Sequence, residues 1–172
     1  MIIPYTKILG LPVVALKSQS VIGFISDIAI QKEPLGIHGF IIKQSHSPFT
    51  KPKAITIHDV VELGNQSLLV LDNQAISELN DTLRLNQALQ HGYHGIGQTV
   101  VTTSGRRLGK VTDFLISTPT LSINKFYVCS LFKERIIASS AISKINGKTI
   151  TIKDDYNLIM IEPAIETEVE FA

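Results

Sequence analysis

The feature of this sequence that most constrains its fold is a pattern that occurs twice. The segments Ser18 to Ile30, SQSVIGFISDIAI, and Gly105 to Ile116, GRRLGKVTDFLI, share one skeleton. In each, a turn is followed by an aliphatic residue, a glycine, three further residues, an aspartate and alternating apolar residues. A chain built this way is expected to contain two copies of one fold. The corresponding positions are Gly23 with Gly109 and Asp27 with Asp113.

The correspondence extends well beyond these two segments. The offset between matched residues is 86 positions at Phe40 and 82 positions at Val60, and the change falls in the loop QSHSPFTKPK, which the second copy lacks. Self-similarity that keeps its order over a whole domain length indicates an internal duplication. Further matched positions are Val13-Val14 with Val100-Val101, Phe40 with Phe126, and Val60 with Ile142.

Each copy has the pattern of a series of short strands. Runs rich in Val, Ile and Leu alternate with polar residues and end at turn residues. Gly64-Asn65 and Asn146-Gly147 each separate two apolar runs, as hairpin turns do, because both residue types tolerate a positive φ. Gly23 and Gly109 lie inside strands, where a glycine marks a bulge or a sharp bend. The predicted fold class is mainly β, with two small β-barrels from an internal duplication joined by a short helix.

A polar segment separates the two copies. Leucines recur at helical spacing in it, Asp81 is placed to cap a helix and Gly92 to end one, so we expect a short amphipathic helix from Thr82 to His91. The predicted organisation is a first barrel in residues 1–72, a helical connector in 73–96, a second barrel in 97–155, and an acidic C-terminal tail in 156–172 that packs on a barrel.

Charge is distributed unevenly along the chain. The net charge is +1, yet residues 97–153 hold nine basic and two acidic residues, and residues 154–172 hold six acidic and no basic ones. Arg106, Arg107 and Lys110 cluster at the first turn of the second copy. Such a patch attracts phosphate groups or an acidic protein surface. The alternative is that the acidic tail folds back over the patch and neutralises it.

No arrangement of residues predicts catalysis. Zinc needs three or four ligands, and the single cysteine, Cys129, lies far from the histidines. No glycine-rich phosphate loop is present, and the serines lack triad-like companions. We therefore expect a protein that is not an enzyme, with no catalytic residue, no cofactor and no metal. The histidines are His38, His46, His58, His91 and His94.

The paired aspartates of the repeat have two interpretations. Asp27 and Asp113 either cap turns and accept backbone hydrogen bonds, or form two related binding positions. Because they belong to two separate predicted barrels, they need not lie near each other. We expect the structural role.

The sequence also bears on location. With one cysteine, no disulfide forms within the chain, as is usual in a reducing cytoplasm. The N-terminal MIIPYTKILG lacks the pattern of a secretory signal, and no apolar run approaches the roughly 20 residues that span a bilayer. We expect a cytoplasmic protein with no integral membrane segment.

The motif SGRRLGKVTDFLI, followed by strands and the closing pattern INGKTITIKD, resembles the PRC-barrel domain. The resemblance covers Gly10 to Asp72 and Gly97 to Asp155, although the first copy has Ser18-Gln19-Ser20 at the turn and Phe24 where Lys110 stands in the second. The chain looks like the tandem PRC-barrel proteins of bacteria. The family includes the cytoplasmic domain of the photosynthetic reaction-centre H subunit and the C-terminal domain of the ribosome maturation factor. It implies six-stranded barrels that act as assembly surfaces, with no catalytic residues to transfer.

Three functions follow from these observations. A non-catalytic scaffold that binds another protein, or a second copy of the chain, predicts an exposed apolar patch outside the core. An RNA- or ribosome-associated processing factor that uses the basic second barrel predicts binding that falls steeply with salt. A small-molecule binder or enzyme predicts a deep pocket with convergent polar groups, which small barrels filled by side chains rarely have. The scaffold is the expected function and the RNA-associated factor is the alternative.

Overall fold

The computed structural model describes residues 1–32, 35–44, 51–79, 95–131, 133–155 and 159–161. Over these residues the chain is mainly β-structure, with 15 strands and one α-helix of four residues. The prediction of a mainly β fold is confirmed. The predicted helix from Thr82 to His91, and all of the tail except one short strand, lie outside the described residues.

The first half of the chain builds a small sheet and a hairpin. Strands β2 to β5 pair antiparallel in chain order, β6 and β7 form an antiparallel hairpin, and β7 returns to pair parallel with β2. Short 3-10 helices at Ile57–Asp59 and Asn73–Ala75 bracket the hairpin. The elements are β1 (Ile2–Pro4), α1 (Tyr5–Ile8), β2 (Pro12–Ala15), β3 (Ser20–Lys32), β4 (Leu35–Lys43), β5 (Lys53–Thr56), β6 (Val60–Leu63), β7 (Leu68–Val70) and β8 (Ser77–Glu78).

The second half repeats this connectivity. Strands β9 to β12 pair antiparallel in chain order, β13 and β14 form a hairpin, and β14 pairs parallel with β9. A 3-10 helix at Ser139–Ala141 corresponds to Ile57–Asp59. The strands are β9 (Thr99–Thr102), β10 (Arg107–Ser117), β11 (Ser122–Ser130), β12 (Lys133–Ala138), β13 (Ile142–Asn146), β14 (Thr149–Ile152) and β15 (Ile159–Ile161).

The turns predicted from Asn-Gly and Gly-Asn pairs are confirmed. Gly64-Asn65 lies between β6 and β7, and Asn146-Gly147 lies where β13 ends and the turn to β14 begins. Each hairpin also has one bulge, at Val61 in the first half and at Ser143 in the second. The two copies therefore agree in the irregular features of their strands as well as in strand order.

The repeat glycines lie where strands are bulged and closely packed, as predicted. The register shifts beside Gly23 in β3 and beside Gly109 in β10. A Cβ added at Gly109 would lie 2.3 Å from the carbonyl oxygen of Cys129, and Gly109 has a φ of +143°. A Cβ at Gly23 would lie 3.1 Å from the carbonyl oxygen of Lys43. Lys43 and Cys129 are themselves matched positions, so both copies bring the same two strand segments together.

The two halves join in one continuous curled sheet. Gly36 of β4 bridges to Ser122 of β11, and β1 from the first half pairs with β10 from the second. The side chains on the inner surface form one apolar cluster that spans both halves. Burial of this cluster is the main favourable contribution to folding. Its largest fully buried members include Phe40, Ile42, Ile55, Phe114 and Phe126.

The C-terminal strand gives the tail one docking point. Backbone pairing joins Ile159–Ile161 to Glu134–Ile136 at the edge of the second half. In the first half, β8 pairs with β5 at the corresponding edge. Within the described residues, no helix is long and apolar enough to cross a membrane.

Candidate functional site

The three basic residues of the predicted patch lie at the start of β10 and are all exposed. Arg106 closes the turn between β9 and β10, where its backbone N–H donates a hydrogen bond of 3.1 Å to Thr102 Oγ1. Arg107 and Lys110 point outward on either side of the buried pair Leu108 and Gly109. Within the described part of the chain, no salt bridge joins any of the three to an acidic residue.

Strand pairing adds two lysines that are distant in sequence. Arg107 on β10 pairs with Val101 on β9, Val101 pairs with Thr151 on β14, and Thr151 pairs with Lys144 on β13. This row crosses the outer surface, with Arg107 at one end and Lys144 at the other, both exposed. Lys153 follows β14 directly and is also exposed. We call the surface formed by Val101, Arg107, Lys144, Thr151 and Lys153 the basic face.

Two acidic residues, Asp154 and Asp155, directly follow Lys153 of the basic face and are exposed, and the side chain of Asp154 is hydrogen-bonded to the turn between β9 and β10. Asp154 accepts hydrogen bonds from the hydroxyls of Thr103 and Ser104, the second at 2.7 Å, and from the backbone N–H of Ser104. The Thr103 and Ser104 hydroxyls hold the pKa of the Asp154 carboxyl well below its ordinary value. Asp154 therefore fixes the shape of the turn that presents Arg106.

The matched surface of the first half is apolar. Val21 on β3 pairs with Val14 on β2, Val14 pairs with Leu69 on β7, and Leu69 pairs with Glu62 on β6. This row has the same position and topology as the row from Arg107 to Lys144. Val21 exposes 55% of its surface, while Val14 and Leu69 are half-buried.

Further exposed apolar side chains extend this row. The backbone N–H groups of Leu16 and Lys17 bond to the carbonyls of Val70 and Leu71, which places Leu16 beside Leu71. Leu71 is 53% exposed, and Val61, at the hairpin bulge, is 55% exposed. We call the surface formed by these residues the apolar face. Its members are Val14, Leu16, Val21, Val61, Glu62, Leu69 and Leu71.

The two faces differ at nearly every matched position. The second half has Arg107 in the place of Val21 and Lys144 in the place of Glu62. The backbone bond from Thr103 to Ile152 repeats the bond from Leu16 to Val70, so the remaining pairs follow from the same register. These are Thr103 for Leu16, Ser143 for Val61, Thr151 for Leu69 and Lys153 for Leu71.

An open groove of about 440 Å³ lies beside the apolar face. Val61 and Leu71 contribute to its wall together with His58 and Asp59, and Asp59 accepts a hydrogen bond of 2.7 Å from Thr56 Oγ1. His58 also borders a smaller groove of about 220 Å³, where β4 approaches β11. Among the described residues, no cluster of three His, Cys, Asp or Glu side chains forms a metal site.

The two repeat aspartates, one from each half, both bond to residues of one short helix. Tyr5 of α1 donates a hydrogen bond of 2.9 Å to Asp27, and the next residue, Thr6, donates one of 2.6 Å to Asp113. Each aspartate also accepts the backbone N–H of the residue that follows it. Both carboxylates thus accept backbone hydrogen bonds, and both also hold α1, a contact that the sequence did not predict.

Tyr5 is the central residue of the junction at which α1 contacts Asp27 of the first half and lies beside Asp113 of the second. Its ring stacks on Phe114 at a centroid distance of 4.8 Å, while its hydroxyl reaches Asp27. Burial, followed by the nearby negative charge of Asp27, raises the pKa of Tyr5 above its ordinary value. The phenol therefore stays neutral and continues to donate its hydrogen bond.

The single cysteine, Cys129, lies on the strand β11. It is half-buried on β11, and its Sγ lies 3.8 Å from the carbonyl oxygen of Leu131. Among the described residues, neither a histidine nor a carboxylate bonds to its Sγ.

Comparison with known proteins does not assign a family. A scan against models of protein families gives no match, and a search among curated proteins finds no significant similarity. The function is therefore inferred from the two faces.

Proposed function

We propose that the chain is a tandem PRC-barrel protein that arose by duplication and acts as a non-catalytic module for protein binding or assembly. Repeated connectivity, bulges and close-packed glycines support two copies of one small barrel, Gly10 to Asp72 and Gly97 to Asp155. The linking helix of this arrangement falls in residues that the structure does not describe. In this proposal, the continuous sheet contains the strands of both barrels.

The observation that carries the function is the contrast between the two outer faces. The second half builds the same surface with Arg107 and Lys153 where the first half has Val21 and Leu71. The fold therefore does not require apolar side chains at these positions. Exposed apolar residues that form one connected surface mark an interaction site, whereas scattered ones need no explanation.

The apolar face also has the construction of a protein interface. Its centre is apolar, and its rim contains Asp59, Glu62 and the ion pair of Lys17 with Asp72, whose N–O distance is 2.8 Å. An apolar centre with a polar rim is the usual anatomy of such surfaces. The groove of about 440 Å³ beside the apolar face offers a recess in which one side chain of a partner can bind.

The test is affinity capture from a lysate of the host, with and without RNase. The variant Val21→Arg with Leu71→Lys introduces residues that the matched positions already hold, so we expect it to fold. We expect wild type to capture a discrete set of proteins that resists RNase, and the double variant to lose it. Leu131→Lys is the matched control, because Leu131 is 91% exposed and lies in the turn between β11 and β12 of the second half. Equal capture by all three proteins would overturn the proposal.

The basic face supports a second candidate, an RNA- or ribosome-associated processing factor. Arg107, Lys144 and Lys153 lie on one surface, with Arg106 and Lys110 close by in sequence, and such a surface attracts phosphates. Binding of a labelled RNA, measured at several salt concentrations, tests it. We expect affinity to fall steeply with salt and Arg106→Ala with Arg107→Ala to reduce the slope by up to about two. RNA binding that ignores salt and this variant would exclude the basic face as its site.

A further inference from the structure

We propose that the apolar face of one chain binds the basic face of a second copy, so that chains associate head to tail. This inference rests on the proposed assembly function and names its partner. Both surfaces belong to the same chain, and both are the outer side of the same four-strand arrangement. They therefore match in extent and twist, and two sheet faces of this kind pack with their strands nearly aligned.

The charges at the ends of the two rows favour this pairing. In the apolar face, the row of paired residues from Val21 to Glu62 has a carboxylate, that of Glu62, at one end. In the basic face, the matched row has a cation at each end, Arg107 and Lys144, with Val101 and Thr151 between them. When two such faces pack, the rows run either in the same or in opposite directions. Glu62 meets Lys144 in the first case and Arg107 in the second, so both orientations pair the carboxylate.

Pairing of like faces lacks this complementarity. Two basic faces would bring cations against cations at both ends of the row. Two apolar faces would place Glu62 against either a second Glu62 or Val21, and neither offers the carboxylate an opposite charge. Like-charge contacts of this kind are the usual means by which interfaces exclude wrong partners.

The central part of the proposed contact is compatible with burial. Val14 and Leu69 would face Val101 and Thr151, which are themselves half-buried and lack charge. The aliphatic stems of Arg107, Lys144 and Lys153 cover apolar surface while their charged ends reach the rim. At the rim, Asp59 and Glu62 are the exposed carboxylates.

Sedimentation of mixed variants of the full chain tests the pairing. One variant, Val21→Arg with Leu71→Lys, lacks the apolar face; the other, Lys144→Glu with Lys153→Glu, lacks the basic face. We expect wild type to show an average mass that rises above 18.9 kDa with concentration and falls with added salt. We expect each variant alone to remain a single chain and their equimolar mixture to form a two-chain species, because one intact face of each kind remains.

A charge exchange adds a second, independent measurement. Glu62→Lys alone is expected to weaken association by about tenfold or more. The reciprocal change in the same chain is expected to restore most of it, and this change is Lys144→Glu if the rows run in the same direction and Arg107→Glu if they run in opposite directions. Leu131→Lys is again the control. Circular dichroism and thermal unfolding establish that each variant is folded.

The contrary results separate the two proposals. A wild-type chain that stays single at every concentration overturns head-to-tail association, and so does dimerisation of the variant that lacks the basic face. If host-protein capture nevertheless depends on Val21 and Leu71, the protein-binding function stands with a different partner. If capture and self-association both ignore these residues, both proposals fail.

Discussion

The two halves of this chain share a backbone but present opposite chemistry to solvent. Both contain the parallel return of a hairpin onto the first strand, a bulge in that hairpin, and a glycine pressed against a neighbouring carbonyl. Their inner surfaces merge into one apolar core. Their outer surfaces differ at matched positions, apolar in the first half and basic in the second. The conserved geometry thus defines the fold, and the difference identifies the surfaces on which function depends.

The largest expected effect concerns the repeat glycines, which are similar in role but unequal in strain. We expect Gly109→Ala to lower the free energy of unfolding by about 3 kcal/mol or more, because its Cβ would meet a carbonyl oxygen at a positive φ. Gly23→Ala should cost about 1 kcal/mol, since its closest contact is longer and its φ is not in the positive range. Urea unfolding of both variants measures the difference. Equal losses would contradict the unequal packing of the two bulges.

The next effect concerns the hydrogen bonds that α1 donates to Asp27 of the first half and to Asp113 of the second. Tyr5→Phe should lower the free energy of unfolding by about 1 kcal/mol, since Asp27 loses a partly buried hydrogen bond. Thr6→Ala should cost less, because the hydrogen bond from Thr6 to Asp113 is exposed. A larger loss for Thr6→Ala would show that the second half depends more on this helix than the first.

Tyr5 also gives this junction a defined pH dependence. Its pKa is raised in the folded state above the ordinary 10.0, so above that pH the unfolded chain releases a proton that the folded chain retains. The contribution of Tyr5 to stability is therefore fully present below pH 10.0 and is lost as the pH rises beyond it. Tyr5→Phe should flatten this part of the stability profile, and an unchanged slope would contradict the buried, neutral phenol.

The smallest expected effect concerns the two carboxylates that follow the hairpins, that of Asp72 in the first half and that of Asp154 in the second. Hydrogen bonds from Thr103 and Ser104 lower the pKa of Asp154, and the ammonium of Lys17 lowers that of Asp72. Stability from either group is present above its ordinary pKa of 3.8 and is lost as the pH falls through its folded value. We expect Asp154→Asn to reduce the acid dependence more than Asp72→Asn. Thermal unfolding between neutral and acidic pH compares them.

The strands and hairpins were predictable because both depend on local sequence. Apolar alternation in the repeated segments SQSVIGFISDIAI and GRRLGKVTDFLI indicated strands, and the structure has β3 and β10 there. Gly64-Asn65 and Asn146-Gly147 indicated the two hairpins for the same reason. These features depend on neighbouring residues and on the turn between them.

The remaining features depend on contacts between distant residues. Three residues are too few to show a strand period, so the pairing of Ile2–Pro4 with β10 had no local signal. The parallel pairing of β14 with β9 has no turn to mark it, and it is this pairing that brings Lys144 beside Arg107. The sequence therefore predicted a basic patch from adjacent residues and missed its most distant members. The matching of the two copies was the signal that could have revealed them.

Site-specific photo-cross-linking from the matched positions Leu71 and Lys153 tests the central claim most directly. A photoreactive amino acid is placed at one position or the other, and the products are compared in a host lysate treated with RNase. We predict that position 71 gives discrete protein cross-links, among them one to the basic face of a second copy, and that position 153 gives a cross-link to the apolar face of a second copy but not to the host proteins reached from position 71. No protein product from position 71, or the same host proteins from both positions, would contradict the assignment of binding to the apolar face.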